Sequence, residues 1–319
     1  MTSAKRPSRK SPAPPGMPFS DVSKGTQDLH VLGTGLVRKF LAAALLLTAS
    51  AFGQADPVIE VKPGSEAIKN KDFYEKTGWL HPFRRMPAYV VHDQKAVWTS
   101  PVHTAKSDIK WWAIFGGATA AFIATDRWTV KQLPNSSSQV SVSTWGSRFG
   151  SAYSVIPVSA AFYFIGTARH DERFRETGLI AFETLIDANL VAEGIKLVAD
   201  RARPLESNGR GRFEDSPNGR WSSSFPSGHA INTWALASVI AHEYPKPLVY
   251  VIAYGLASTV VMARVGARKH FPGDVLAGGA MGWFMGDYVY GKRHNRELDK
   301  NRSGARRILD HVRVSAAIE

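Results

Sequence analysis

The 319-residue chain contains no cysteine, which excludes disulfides and thiolate metal sites and leaves redox chemistry silent about compartment. Acidic residues are scarce: 27 Asp and Glu stand against 40 Lys and Arg, a formal charge of +13. Such a balance favours anionic partners, either a phosphorylated substrate or an anionic membrane surface. No recognised nucleic-acid motif accompanies the charge, so nucleic acid is not expected as a partner. Nothing reads as a strand of useful length, and the expected fold class is therefore all-α. Long apolar runs are also few: among the helical candidates only 248–261 is apolar throughout, and about 20 such residues are needed to cross a bilayer. Metal-binding spacings of the Glu-x-x-His or His-x3-His type are missing. The carboxylate pair Glu183 and Asp187 is accordingly expected to pair with Arg169 or Arg173 or to face solvent, and no metal ligand is assigned.

What is present begins with an export pattern. Arg38 and Lys39 precede the apolar stretch 40–48, and small residues follow at Ala49, Ala51, Gly53 and Ala55. A charged flank, a short apolar core and a small-residue site form a secretory signal, with cleavage expected after Ala51 or Ala55. Residues 1–37 form a basic, Ser/Pro-rich leader expected to be disordered, with translation starting downstream at Met17 or nearer Arg38. The expected location is exported, periplasmic or on the outer face of the envelope.

The remaining chain divides into an extension (56–107), a catalytic helical domain (108–291) and a basic tail (292–319). The extension is expected to be extended with short helices packing on the domain, and its His81 and His92 are expected to be packing or surface residues. Six helices are predicted over 111–125, 151–168, 178–203, 229–242, 248–265 and 275–290, forming a six-helix bundle. The Ser-rich stretch 130–150 reads as a long loop. Charges interrupt most of these helices, so a soluble or peripherally attached bundle is expected in preference to an integral one.

Three strings in the C-terminal half carry the chemistry. In the first, Lys196 is followed seven residues later by Arg203 and then Pro204. That spacing predicts two cations on one helix face, with Pro204 ending the helix. The second, Pro226-Ser227-Gly228-His229, opens an apolar helix, where Ser227 suits an N-cap and Gly228 lets backbone approach an anion. In the third, Arg264 precedes His270, which is followed by Pro272 and Asp274. Three cations can neutralise phosphate oxygens without a metal, two histidines can divide the roles of nucleophile and general acid, and Asp274 is close enough to fix the tautomer of His270. Arg201 and Arg268 lie in the gaps of these strings and are expected to be solvated.

The order and spacing resemble the type 2 phosphatidic acid phosphatase/vanadium haloperoxidase superfamily, whose signature is Lys-x6-Arg-Pro, Pro-Ser-Gly-His and Ser-Arg-x5-His-x3-Asp. Ten of its eleven fixed positions match; the exception is Ala263, where the signature has serine. The resemblance implies a metal-independent phosphatase acting on a lipid phosphate, a prenyl diphosphate or a soluble phosphate ester. In it, His270 would attack phosphorus, His229 would protonate the leaving oxygen, and Asp274 would accept the proton on the other nitrogen of His270. Lys196, Arg203, Ser227, Gly228 and Arg264 would hold the phosphate. No cofactor is implied; vanadate would act as an inhibitor, and as a cofactor only under the alternative reading of a vanadium haloperoxidase. A catalytically silent envelope scaffold is the third reading.

Overall fold

Apolar segments punctuated by proline, glycine and capping carboxylates become helices throughout the described part of the chain. The computed structural model describes residues 81–100, 109–296 and 298–299, and this part is all-helical. Eight α-helices occur among the described residues: α1 (His81–Thr99), α2 (Ile109–Gln132), α3 (Ser137–Ser147), α4 (Ala152–Arg169), α5 (Glu172–Ala199), α6 (Gly228–Glu243), α7 (Pro247–Gly266) and α8 (Pro272–Arg293). The leader, the signal-like segment and residues 56–80 lie outside the described residues, as does the tail beyond Asp299.

Six helices stand where six are predicted, and two more are added. The stretch 130–150 is not one long loop, because Ser136 caps α3 by accepting from the Gln139 amide at 3.2 Å. Residues 81–99 form one continuous helix of 19 residues, longer than the short helices expected in an extended segment, with Pro87 inside it. A larger correction concerns α5. Asp171 caps its start, accepting from the Phe174 amide at 3.0 Å. The helix stops at Ala199, where Asp200 turns left-handed at φ 43°, four residues before Pro204. Arg203 therefore does not share a helix face with Lys196; it sits on the loop that returns to α6.

The core joins α5, α6 and α8 through Ile180, Leu185, Ala188, Ile231, Val239 and Val289, all buried. Along its α6-facing side α8 carries Gly278, Gly282 and Gly286, one per turn. A Cβ at Gly282 would run into the carbonyl oxygen of Ile231, so the two backbones touch and no side chain separates them. Gly282→Ala should therefore cost about 1–3 kcal/mol through overpacking. Gly255→Ala, in a position on α7 with open space around it, should be neutral or slightly stabilising. Thermal unfolding of the two variants in one detergent checks the contrast, and equal melting temperatures would contradict the close packing.

The end of the bundle away from the signature strings is rich in buried carboxylates. Arg293 binds Asp93 at 2.5 Å and Glu183 at 2.7 Å, while Gln94 donates to Asp187 at 2.9 Å. Glu183 and Asp187 thus take their partners from α8 and α1, not from Arg169 or Arg173, and neither faces solvent. His294 sits between Glu176, at 3.0 Å, and Glu243, at 3.5 Å. These carboxylates and the Asp299 side chain push its imidazole up to about 10 despite burial, so it carries charge at neutral pH.

Two helical stretches, Ser137–Arg169 and Pro247–Gly266, are long and apolar enough to cross a membrane. Only 28% and 22% of their apolar windows are buried, unlike the core helix of a soluble bundle. Ile156, Phe164, Leu248, Val251 and Leu256 all lie exposed on α4 and α7.

Candidate active site

Helix ends bring the three strings together. The Ser227 amide, at the start of α6, donates to the Asp274 carbonyl at 3.0 Å, which ties the second string to the third. A Cβ on Gly228 would lie 3.7 Å from Lys196 Nζ, so the end of α5 closes on the same point. Lys196 itself is mostly buried and pairs with Glu193 at 2.5 Å, one turn back along α5. Arg203 reaches in from the loop, its Nε donating to the Ser222 carbonyl at 3.1 Å.

Arg264, in the last turn of α7, is 8% exposed and has no carboxylate partner among the described residues. Its Nη1 donates to Ser147 Oγ at 3.3 Å, and its Nε is buried with no hydrogen bond. Ser147 belongs to α3, a helix invisible in the sequence, so a hydroxyl reaches Arg264 from another element even though Ala263 supplies none. Ser227 occupies the N-cap position of α6, but its side chain does not cap. Instead Ser227 Oγ is fully buried and unbonded. Leaving a buried hydroxyl and a buried guanidinium short of partners is costly unless something polar meets them.

His270 lies just before α8 and is 3% exposed. Its Nδ1 is 2.8 Å from the carbonyl oxygen of Ser224, and a carbonyl only accepts, so Nδ1 carries the proton and Nε2 keeps its lone pair. Asp274 Oδ2 is 3.8 Å from the same nitrogen. That oxygen accepts from Ser224 Oγ at 2.5 Å and from the Phe271 amide at 2.8 Å, the latter a carboxylate at the third helical position reaching back to the N-cap. Ser224 is thus a part of the site that sequence reasoning missed; its only signal was the serine run just ahead of Pro226.

Burial and the Arg264 charge lower the pKa of His270 to about 4, although Asp274 opposes the shift. His229 is lowered further, to about 3, first by burial and then by the charges of Arg264, His270, Arg203 and Lys196. Both imidazoles are neutral at pH 7. One presents a free lone pair, and the other stands in a strongly positive field that a bound anion would offset.

Arg201 and Arg268 are not solvated. Arg201 is 2% exposed and binds Asp126 and Asp274. Arg268 donates to the Leu133 carbonyl at 2.7 Å, just past the end of α2.

Residues 177–297 match the family model described as PAP2 superfamily. Among curated proteins, the lipid A 1-phosphatase of Rhizobium johnstonii is 36% identical over 110 residues, covering 34% of this chain and 44% of that protein. The lipid A 1-phosphatase of Porphyromonas gingivalis is 34% identical over 76 residues, covering 23% of this chain and 17% of that protein. The chain thus spans less than half the length of these curated relatives. A solved transmembrane PAP2-type phosphatidylglycerolphosphate phosphatase from Bacillus subtilis aligns at 21% identity and TM-score 0.43, over 66% of this chain and 98% of that one.

Proposed function

Residues 177–297 belong to the PAP2 superfamily, and from that premise we propose that this chain is a metal-independent phosphatase of a phosphorylated lipid, working through a phosphohistidine. The observation that carries the reading is Arg264, a buried guanidinium with no carboxylate partner among the described residues, near enough to His229 to act on it together with Arg203 and Lys196. A buried guanidinium without counter-charge is costly by itself and is offset when an anion binds there. Phosphate has the size and charge for that role, with Ser227 Oγ and the amides opening α6 completing its shell.

In the first step His270 Nε2 attacks phosphorus as the bond to the leaving oxygen breaks, and His229 gives that oxygen its proton. Water then attacks the phosphohistidine with His229 as base, releasing inorganic phosphate and restoring His270. Lys196, Arg203 and Arg264 stabilise the charge on the equatorial oxygens throughout. As substrate class we favour a phosphorylated glycolipid of the lipid A kind, the substrate in the names of the relatives. The exposed apolar sides of α4 and α7 fit entry into the bilayer where such a lipid resides. Export through the segment 38–55 would put the site on the outer side of the membrane.

The test starts from a membrane fraction washed with carbonate, extracted in detergent and supplied with lipid A in EDTA. Inorganic phosphate should be released, and orthovanadate should inhibit competitively as a mimic of the pentacoordinate state. Arg264→Ala should weaken vanadate binding about 10–100-fold, the loss expected for hydrogen bonds to a charged group. Dependence on added Mg²⁺ or Zn²⁺ would overturn the metal-independent reading. Bromide oxidation on adding vanadate and peroxide, with no ester hydrolysis beforehand, would replace the phosphatase with the haloperoxidase.

A further inference from the structure

A buried arginine outside the phosphate pocket ties three separate parts of the chain together behind His270. Arg201 Nη1 donates to Asp274 Oδ1 at 2.5 Å, Nη2 to Asp126 Oδ2 at 2.8 Å and Nε to the Gly211 carbonyl at 3.1 Å. Its guanidinium lies 4.4 Å from the ring centre of Phe271 and 4.9 Å from that of Phe213. Asp126, on α2, uses its other oxygen to accept from the Gly273 amide at 2.8 Å, in the first turn of α8. The side chains of Arg201, Asp126 and Asp274 are all about 2% exposed or less.

From this geometry we infer that Arg201, seconded by Asp126, is a positioning residue for the phosphoryl-transfer reaction: it fixes the rotamer of Asp274 and, through Ser224 and the Phe271 amide, the orientation of His270. The inference rests on the reading of the site proposed above. A planar fork can hold two carboxylates at once from fixed directions, which a point charge cannot. With Oδ1 of Asp274 held by Arg201, Oδ2 is the oxygen left to face Ser224 Oγ, the Phe271 amide and, at 3.8 Å, His270 Nδ1. Ser224 is held in turn, since its amide donates to the Arg201 carbonyl at 2.7 Å. Its own carbonyl is the acceptor that keeps the proton on His270 Nδ1. The backbone and side chain of one arginine thus set both groups that fix the nucleophile's ring. None of these contacts reaches the phosphate pocket, so binding and positioning are separable.

Three variants and the parent are compared on para-nitrophenyl phosphate, with vanadate inhibition and circular dichroism as controls. Arg201→Met combined with Asp126→Asn removes opposite charges together, a change that buried pairs often tolerate, and the carboxamide oxygen introduced on α2 can still accept from the Gly273 amide. This double variant should fold and keep KM and vanadate affinity within about threefold, while kcat falls about 10²-fold from misorientation of His270. Arg201→Lys retains the charge without the fork and should lose about tenfold in kcat with KM unchanged. A folded variant of either kind with the parent's kcat would overturn the inference. Loss of the fold in both, or parallel losses in kcat and vanadate affinity, would overturn it in favour of a purely structural ion pair. His270→Ala is the third variant: a parent without phosphatase activity, or an active His270→Ala, would overturn the reading of the site itself.

Discussion

His270→Ala should reduce turnover by about 10⁴-fold or more, the scale on which enzymes lose rate when a covalent nucleophile is removed. In the proposed mechanism His270 is that nucleophile, and a simple asymmetry suits it to the role: its Nδ1 faces the Ser224 carbonyl at 2.8 Å, so Nε2 cannot be protonated while the ring is neutral. With its pKa lowered to about 4, the ring stays neutral, and nucleophilic, at every pH above that value. His229 cannot substitute, because it belongs to α6 and has no acceptor fixing its tautomer among the described residues. The check is twofold. Steady-state phosphate release should drop to background, and alkaline quenching of the parent with a ³²P-labelled ester should leave label on the protein that is absent from His270→Ala. More than a few per cent of parent activity in the variant would sink the assignment.

His229→Ala should lose about 10²–10⁴-fold on a lipid or alkyl phosphate, the usual contribution of a general acid, and less than about tenfold on para-nitrophenyl phosphate. A nitrophenolate leaves without being protonated, whereas a sugar or alkyl oxygen does not. Equal losses on both substrates would give His229 some other role. The sign of its pKa adds a second expectation. In the free protein burial and the neighbouring cations Arg264, Arg203 and Lys196 hold His229 neutral at pH 7, yet the first step of the proposed mechanism needs its imidazolium. The proton must therefore enter with the substrate, as a phosphate monoanion or by uptake on binding. In the parent, kcat/KM should then fall about tenfold per pH unit above roughly pH 6, where phosphate esters lose their second proton. The nucleophile imposes no acid limb until near pH 4.

Helix existence was legible in the sequence wherever apolar periodicity ran beyond a dozen residues, and the start of α7 was legible to within a residue at Pro247, whereas the start of α5, expected at 178, lies at Glu172 behind the Asp171 cap. The end of α5 was not legible either. Pro204 gave a plausible stop, but the chain turns earlier at Asp200, a left-handed position more often taken by glycine or asparagine. The short helix α3 was hidden because serine favours caps and turns in isolation, and only packing against α7 offsets that preference. At the site, the strings named the histidines and the cations. They could not name Ser147, Ser224 or Asp126, whose relevance comes from elements far apart in the chain. Arg201 is misleading for the same reason: a charge with polar neighbours in sequence looks solvated, and its two carboxylates lie 75 and 73 residues away. Likewise Glu183 seems to need a nearby arginine, whereas its partner is 110 residues further on.

The glycine stripe of α8 bears on how such a protein can change over evolutionary time. His229 begins α6 and His270 precedes α8, so the separation of the two histidines is governed by helices whose backbones touch at Gly278, Gly282 and Gly286. A side chain on Gly282 would force the two helices apart, because its Cβ would meet the Ile231 carbonyl oxygen first. The loop between α5 and α6, by contrast, exposes Leu205 and Trp221 even though its Gly211 carbonyl and Phe213 ring pack on Arg201. Under the proposed function, descendants of this chain could change substrate by rewriting the exposed part of that loop, while substitutions on the stripe would be purged. Saturation mutagenesis selected for phosphate release should show that division, with tolerance at Leu205 and Trp221 and near-complete intolerance at the three glycines.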